Sequence, residues 1–215
     1  MKKILVALVL MLGLNAMADD INLWKKSTLN QILQKGEIEI CLEPGYMPFE
    51  MKDKKGNIIG YDVDMANRMA KAMGVEAKFL PTAWDGIMGA LLAGKCDIIM
   101  SGMTITQERN LKVNFADPYV VVGQTILMQK GLDAKKAKDL DKPEYTIVTK
   151  LGVTGEIATR KMFKKAKIRT FETEADAVQE VLNGNADAFV YDQPYNIVFM
   201  TEKGKGKLVH LDTPL

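Results

Sequence analysis

The sequence predicts an α/β fold from three observations. Short apolar runs read as buried strands, amphipathic stretches between them read as helices, and glycines punctuate the junctions. The runs at 98–100 and 188–190 are apolar without alternation, as in strands of a parallel sheet covered on both faces.

The elements follow in order. Glu37-Ile38-Glu39-Ile40 alternates and then meets Pro44, Gly45 and Pro48, a strand ending in a loop. Gly60-Tyr61-Asp62 opens a helix with Asp62 as N-cap, Val63, Ala66, Met69, Ala70 and Met73 as its apolar face, and Gly74 as its stop. Ala77–Leu80 is a short strand before Pro81. Trp84–Ala93 is a helix stopped by Gly94, and Asp97–Met100 is the strand after it. The grammar then restarts. Thr146–Val148 is a strand, Gly155–Phe163 a helix, Ala175–Asn183 a helix stopped by Gly184, and Ala188–Val190 a strand. Leu92-Ala-Gly-Lys-Cys-Asp97 and Leu182-Asn-Gly-Asn-Ala-Asp187 share the pattern L-x-G-x-x-D, which repetition or helix-stop chemistry alone could produce. With the repeated element order it favours two similar α/β lobes. Between them, Phe115–Gly123 reads as a turn and a rigid, strand-like crossing, so hinge closure over a cleft is expected. The lysine-rich stretch 134–142 lacks aromatic residues and reads as a solvated loop and helix.

Of 215 residues, 47% are apolar, and 29 Lys and Arg face 27 Asp and Glu, the balance of an ordinary globular chain. A net charge of +2 without a basic block argues against nucleic acid as the main partner. One His builds no His-rich metal site, and no cofactor is implied. Lys2 and Lys3, the apolar run Ile4–Leu14 and Ala16-Met17-Ala18 read as a signal peptide over residues 1–18. Its apolar run of eleven residues is too short to span a bilayer, where about 20 are needed. No Cys follows the cut. A periplasmic or secreted protein with no membrane insertion after cleavage is expected.

Several residues could carry chemistry. Ser101-Gly-Met-Thr104-Ile-Thr106-Gln-Glu-Arg109 follows an apolar strand, on the side of a parallel sheet where ligands gather. Arg109 could grip a carboxylate through two parallel hydrogen bonds, or sit on the surface of a helix capped by Thr106. Trp84 could stack on a ligand or pack in the core. Glu43, Tyr46 and Phe49 lie past the first strand. Gly152-Val153-Thr154-Gly155 leads into a helix whose free N–H groups attract anions, but it is no P-loop. Asp192 could bind an ammonium; residue type alone favours helix capping. There is no G-x-S-x-G, H-E-x-x-H or Cys–His pair, and His210 reads as a surface or hinge residue. Cys41 and Cys96 are read as two free, packed thiols.

The strings Gly60-Tyr-Asp-Val-Asp-Met-Ala66, Trp84-Asp-Gly-Ile87, Ser101–Arg109, Phe115-Ala-Asp-Pro-Tyr119, Gly152-Val-Thr-Gly-Glu156 and Asp187-Ala-Phe-Val-Tyr-Asp192 occur in that order. Together they resemble the family 3 extracellular solute-binding proteins of ABC importers for polar amino acids, over nearly all of 37–212. The resemblance implies a periplasmic-binding-protein type II fold, two lobes with a hinge and a ligand cleft. Lobe 1 would occupy 19–119, lobe 2 residues 120–210, and a return hinge would begin at 211–215. It implies a monomer that closes on one amino acid and hands it to a membrane permease. By position, Arg109, helped by Thr104 and the Thr154 N–H, would clamp the α-carboxylate. Asp192 and the Gly102 carbonyl would take the α-ammonium, beside Ser101, and Trp84 and Tyr46 would sandwich the aliphatic part. Glu43 matches an acid that faces the distal cation in relatives binding lysine, arginine or ornithine, so a basic amino acid is expected.

Two departures stand out. Val153 replaces a hydroxyl residue common there, which removes one carboxylate donor. The family's chain also returns to lobe 1 near the point where this sequence ends, so a fragment, or a lobe completed by something else, is expected. An enzyme resembling the cyclohexadienyl dehydratases, which share this fold, and a periplasmic amino-acid sensor are the competing readings.

Overall fold

A computed structural model describes residues 27–211. The signal peptide expected at 1–18 and the segment 212–215 lie outside the described residues.

The first sheet is built from β1 (Glu37–Leu42), β4 (Glu76–Pro81) and β5 (Ile98–Ile99) in the order β4-β1-β5, all parallel. Alternation along β1 sends its side chains to two faces. Ile38 and Ile40 meet Ile32 of helix α1 (Thr28–Lys35) and Ala66 and Ala70 of helix α2 (Tyr61–Met73). Cys41 meets Ile87 of helix α3 (Trp84–Leu92) on the other face. The hairpin of β2 (Met51–Lys52) and β3 (Ile58–Ile59) precedes α2, and Gly74 ends that helix at φ 72°. The sequence pointed to Asp62 as its N-cap, and the structure corrects this. The N-cap is Gly60, and Asp62 lies buried in the first turn, turned to the Gly102 N–H and the Tyr119 hydroxyl.

The second sheet is larger and mixed. Its order is β10-β6-β9-β7-β8, from β6 (Gln124–Gln129), β7 (Thr146–Lys150), β8 (Lys167–Phe171), β9 (Ala188–Asp192) and β10 (Leu208–Leu211). β7 is parallel to β8 and β9, whereas β6 runs antiparallel to β9 and β10, which the sequence grammar did not predict. Helices α5 (Thr154–Met162), α6 (Glu174–Leu182) and α7 (Gln193–Glu202) accompany it, and short α4 (Gln107–Asn110) precedes the crossing. β6 starts only at Gln124; the β-branched run 120–122 is unpaired chain, so the expected strand-like crossing is extended but outside the sheet. The lysine-rich stretch holds a 3-10 turn, Ala137–Leu140, that buries Ala137 and Leu140 and leaves Lys135, Lys136 and Lys138 exposed.

The repeated L-x-G-x-x-D pattern performs one task twice. Gly94 and Gly184 end their helices at φ 68° and 79°. Asp97 then accepts the Glu39 N–H at 2.8 Å, and Asp187 accepts the Thr146 N–H at 2.7 Å. Each aspartate thus pins the next strand against its neighbour.

Cys41 and Cys96 are joined in a disulfide, not held as free thiols, with their Cα atoms 5.7 Å apart. The pairing arises because β1 lies beside β5, which brings together two cysteines separated by 55 residues. Helices lie on both faces of the first sheet, as its apolar strands suggested, with α1 and α2 on one and α3 on the other. A groove of about 510 Å³ runs along Leu80, Thr82, Gly86 and Ala90. No helix of the described residues is long and apolar enough to cross a membrane.

Candidate functional site

The chain leaves β1, β5, β7 and β9 at their carboxyl ends on one side, and these ends meet across the gap between the sheets. All nine residues named from sequence line one cavity there: Glu43, Tyr46, Trp84, Ser101, Gly102, Thr104, Arg109, Thr154 and Asp192. Glu50, Val153 and Tyr191 complete it. The cavity measures about 20 Å³, room for roughly one water, so anything larger enters only when the two halves part.

Arg109 sits in α4, whose N-cap Thr106 accepts the Arg109 N–H at 3.2 Å. Capping and a cleft-facing guanidinium therefore coexist. The guanidinium donates to the Thr104 carbonyl at 2.8 Å and, across the gap, to the Gly152 carbonyl at 3.2 Å. It lies 5.4 Å from the Trp84 ring centroid, a cation–π contact. The Trp84 indole N–H donates to the same Gly152 carbonyl at 3.1 Å. Burial holds the Arg109 pKa below its ordinary value. The Thr104 and Thr154 hydroxyls stand 3.4 Å apart beside it.

Asp192 faces this cation from the second half. It occupies the N-cap position of α7 but makes no side-chain cap bond, against the capping role its residue type favoured. Its carboxylate accepts from the Tyr46 hydroxyl and from Gln124. Tyr46 therefore does more than stack: its buried ring packs 4.8 Å from Phe49, and its hydroxyl fixes Asp192. A Cβ on Gly102 would collide with that ring, which makes glycine necessary there. Burial pushes the Asp192 carboxyl above the ordinary range, although Tyr46, Gln124 and Arg109 all favour its charged form.

Glu43 is held differently from the expectation. Its carboxylate pairs with Lys150, the last residue of β7, which is 1% exposed. Lys150 also pairs with Glu174 at 2.7 Å and lies 5.7 Å from the Trp84 centroid, opposite in sequence origin to Arg109. Desolvation raises the Glu43 pKa in spite of Lys150. Glu174 is placed by the start of α6, where Thr173 caps the helix by accepting the Asp176 N–H at 3.0 Å. A side chain at Gly45 would strike the Glu174 carboxylate.

Beneath Ser101 lies a pair of buried carboxyl groups. Ser101 donates to Glu50 at 2.6 Å, and Asp62 accepts from the Gly102 N–H at 2.9 Å and the Tyr119 hydroxyl at 2.8 Å. Burial, with the neighbouring Asp62 charge adding to it, pushes Glu50 up to about 9. A neutral Glu50 avoids two adjacent buried charges.

The cavity can therefore pair an anion on Arg109 and a cation on Asp192, with Glu43 further along. Sequence reasoning missed Lys150, Glu174, Gln124 and Glu50. Position at the carboxyl end of a parallel strand could have suggested Lys150; Gln124 starts an antiparallel strand, where that rule gives no signal. Among the described residues no cluster of His, Cys, Asp or Glu is arranged to hold a metal ion.

The profile of the bacterial extracellular solute-binding proteins, family 3, matches residues 38–196. A probable histidine-binding protein of Neisseria gonorrhoeae is 39% identical over 68% of this chain and 55% of its own length. The cyclohexadienyl dehydratase of Pseudomonas aeruginosa is 31% identical over 78% of this chain and 63% of its own. A solved structure from Wolinella succinogenes, described as a candidate binding component of an ABC transporter and complexed with lysine, is 62% identical. It superposes with a TM-score of 0.82 over 84% of this chain and 78% of its own. The chain thus spans little more than half of the gonococcal relative.

Proposed function

We propose that this chain, which belongs to the bacterial extracellular solute-binding proteins, family 3, captures a basic L-amino acid in the periplasm for an ABC importer. The observation that carries the reading is the opposition of Arg109 and Asp192 across one cavity, reached from different halves of the molecule. A zwitterion stripped of water needs both of its charges paired. Arg109, with the Thr104 and Thr154 hydroxyls, takes the α-carboxylate. Asp192, oriented by Tyr46 and Gln124, takes the α-ammonium with the Gly102 carbonyl. Trp84 covers the aliphatic stem, and Glu43 receives the distal cation. The lysine complex of the Wolinella relative and the histidine specificity named for the gonococcal one support a cationic or cationisable side chain.

In this reading residues 19–119 and 120–210 are the lobes that close on the ligand, 1–18 direct export, and the protein works as a monomer with a membrane permease. The disulfide suits an oxidising compartment. Binding without turnover is the reading favoured here. The dehydratase relative, and a neutral Glu50 lining the cavity as a potential proton donor, keep an enzymatic reading in view.

Isothermal titration of the chain from Asp19 onward with lysine, arginine, ornithine, histidine and glutamine tests the proposal. Saturable binding confined to the basic amino acids is the expected result. Binding of glutamine alone discards the specificity, and formation of aromatic product from prephenate or arogenate discards the binding-only role.

A further inference from the structure

The far end of the cavity contains more charge than its lining reveals. Glu43 lines the cavity; Lys150 and Glu174 do not. They stand behind it in a chain of contacts, Glu43 to Lys150 and Lys150 to Glu174, with both ion-pair partners of Lys150 being carboxylates. The Lys150 and Glu174 side chains are 2% and 4% exposed, whereas that of Glu43 is 18% exposed. Water therefore screens neither hidden group well, and their charges act on Glu43 at close range. Lys150 and Glu43 alone would cancel, leaving a neutral wall. Two carboxylates around one ammonium leave a net charge of −1 instead.

We propose that Glu174, which touches no ligand, sets the charge class of the side chain accepted: it neutralises Lys150 and so leaves Glu43 free to attract a cation. The inference rests on the reading that the cavity binds a basic amino acid. Arg109 and Asp192, the other charges facing the cavity, are occupied by the α-groups and do not alter this balance. Gly45 belongs to the same device, because only glycine lets the Glu174 carboxylate reach this position.

Arginine and citrulline share a shape and differ by one charge, so the ratio of their affinities reads the wall charge while a change in packing moves both ligands. In calorimetry, Glu174→Gln makes the wall neutral, and the preference for arginine over citrulline falls about tenfold or more. Adding Lys150→Met to that variant restores a wall charge of −1 and recovers the preference, which repair of a purely structural defect would not do. Lys150→Met alone raises the preference above that of the unaltered protein and serves if Glu174→Gln does not fold. An unchanged ratio in Glu174→Gln, or no recovery in the double variant, overturns the inference while leaving the basic-ligand reading intact. An unaltered protein that prefers citrulline overturns both.

Discussion

In the first sheet β1 lies between β4, none of whose six residues is fully buried, and a β5 of two residues. In the second, β9 is buried along all five residues between β6 and β7. The second sheet gathers two apolar clusters, one running from Leu127 through Phe189 to Phe199, the other around Ile126, Ile147 and Val190. The first has a cluster around Ile40 on one face and, on the other, Ile87 packed against the disulfide. Both sheets use the same glycine and aspartate at the helix-to-strand junction. The difference teaches that a shared local grammar does not fix how a sheet is stabilised. Burial suffices in the second, whereas the first adds a covalent link.

Breaking that link should have the largest effect. Cys96→Ser should destabilise the first region by about 4 kcal/mol, the chain-entropy value for a loop of this separation. Hydrogen exchange should show the loss around β1 and β5 with β6, β7 and β9 still protected; equal loss in both sheets would break the comparison. Next come the two halves of the clamp. Arg109→Ala and Asp192→Asn should each weaken amino-acid binding by about 3 kcal/mol with the melt of the free protein little changed. Calorimetry that finds a loss from one half only would place recognition in a single region. The raised Asp192 pKa adds a sign. In the proposed function its charged form holds the ammonium, so affinity should fall on acidification at a higher pH than an ordinary aspartate would dictate.

The buried Glu50 gives a graded effect, smaller per pH unit than the losses above. With its pKa raised to about 9, the folded protein keeps a proton that the unfolded chain has released above the ordinary carboxylate range. Stability from this group is therefore full at low pH and declines as pH rises towards 9, by up to about 1.4 kcal/mol per pH unit. Glu50→Gln should flatten that decline in denaturant titrations across the window; an unchanged slope would mean that Glu50 is ionised when folded. Smallest are the junction aspartates. Asp97→Asn and Asp187→Asn each weaken one acceptor of a strand N–H, and each should cost about 1 kcal/mol. Unequal costs in denaturant melts would show that the repeated motif is not energetically equivalent in the two sheets.

Much of the fold was legible because its signals are local. Gly74, Gly94 and Gly184 stop helices wherever the rest of the chain lies, and alternation marks β1 and an apolar run β9 without knowledge of partners. The nine cavity residues were legible in two steps: position near strand ends and helix starts nominated several of them, and the family resemblance assigned the set. What escaped depends on pairing across distance. Lys150 looks like any lysine ending a strand; its meaning comes from Glu43, 107 positions away, and from Glu174 on another helix. Cys41 and Cys96 looked like separate thiols until strand order set them side by side. Asp62 and Asp192 have the residue type of helix caps, but Asp62 falls in the first turn, and tertiary partners took both side chains.

One carbonyl links the two halves through the residues that face the cavity. The Gly152 oxygen, beyond β7, accepts from both Trp84 and Arg109, which belong to the other half. Opening the cavity means breaking both bonds together, whatever lies inside. The consequence is kinetic. For a molecule captured in the proposed way these bonds would act as a brake on escape, lengthening its residence time. Entry requires only the open arrangement, so variation near Gly152 should change how long the cavity stays shut more than how often it is found.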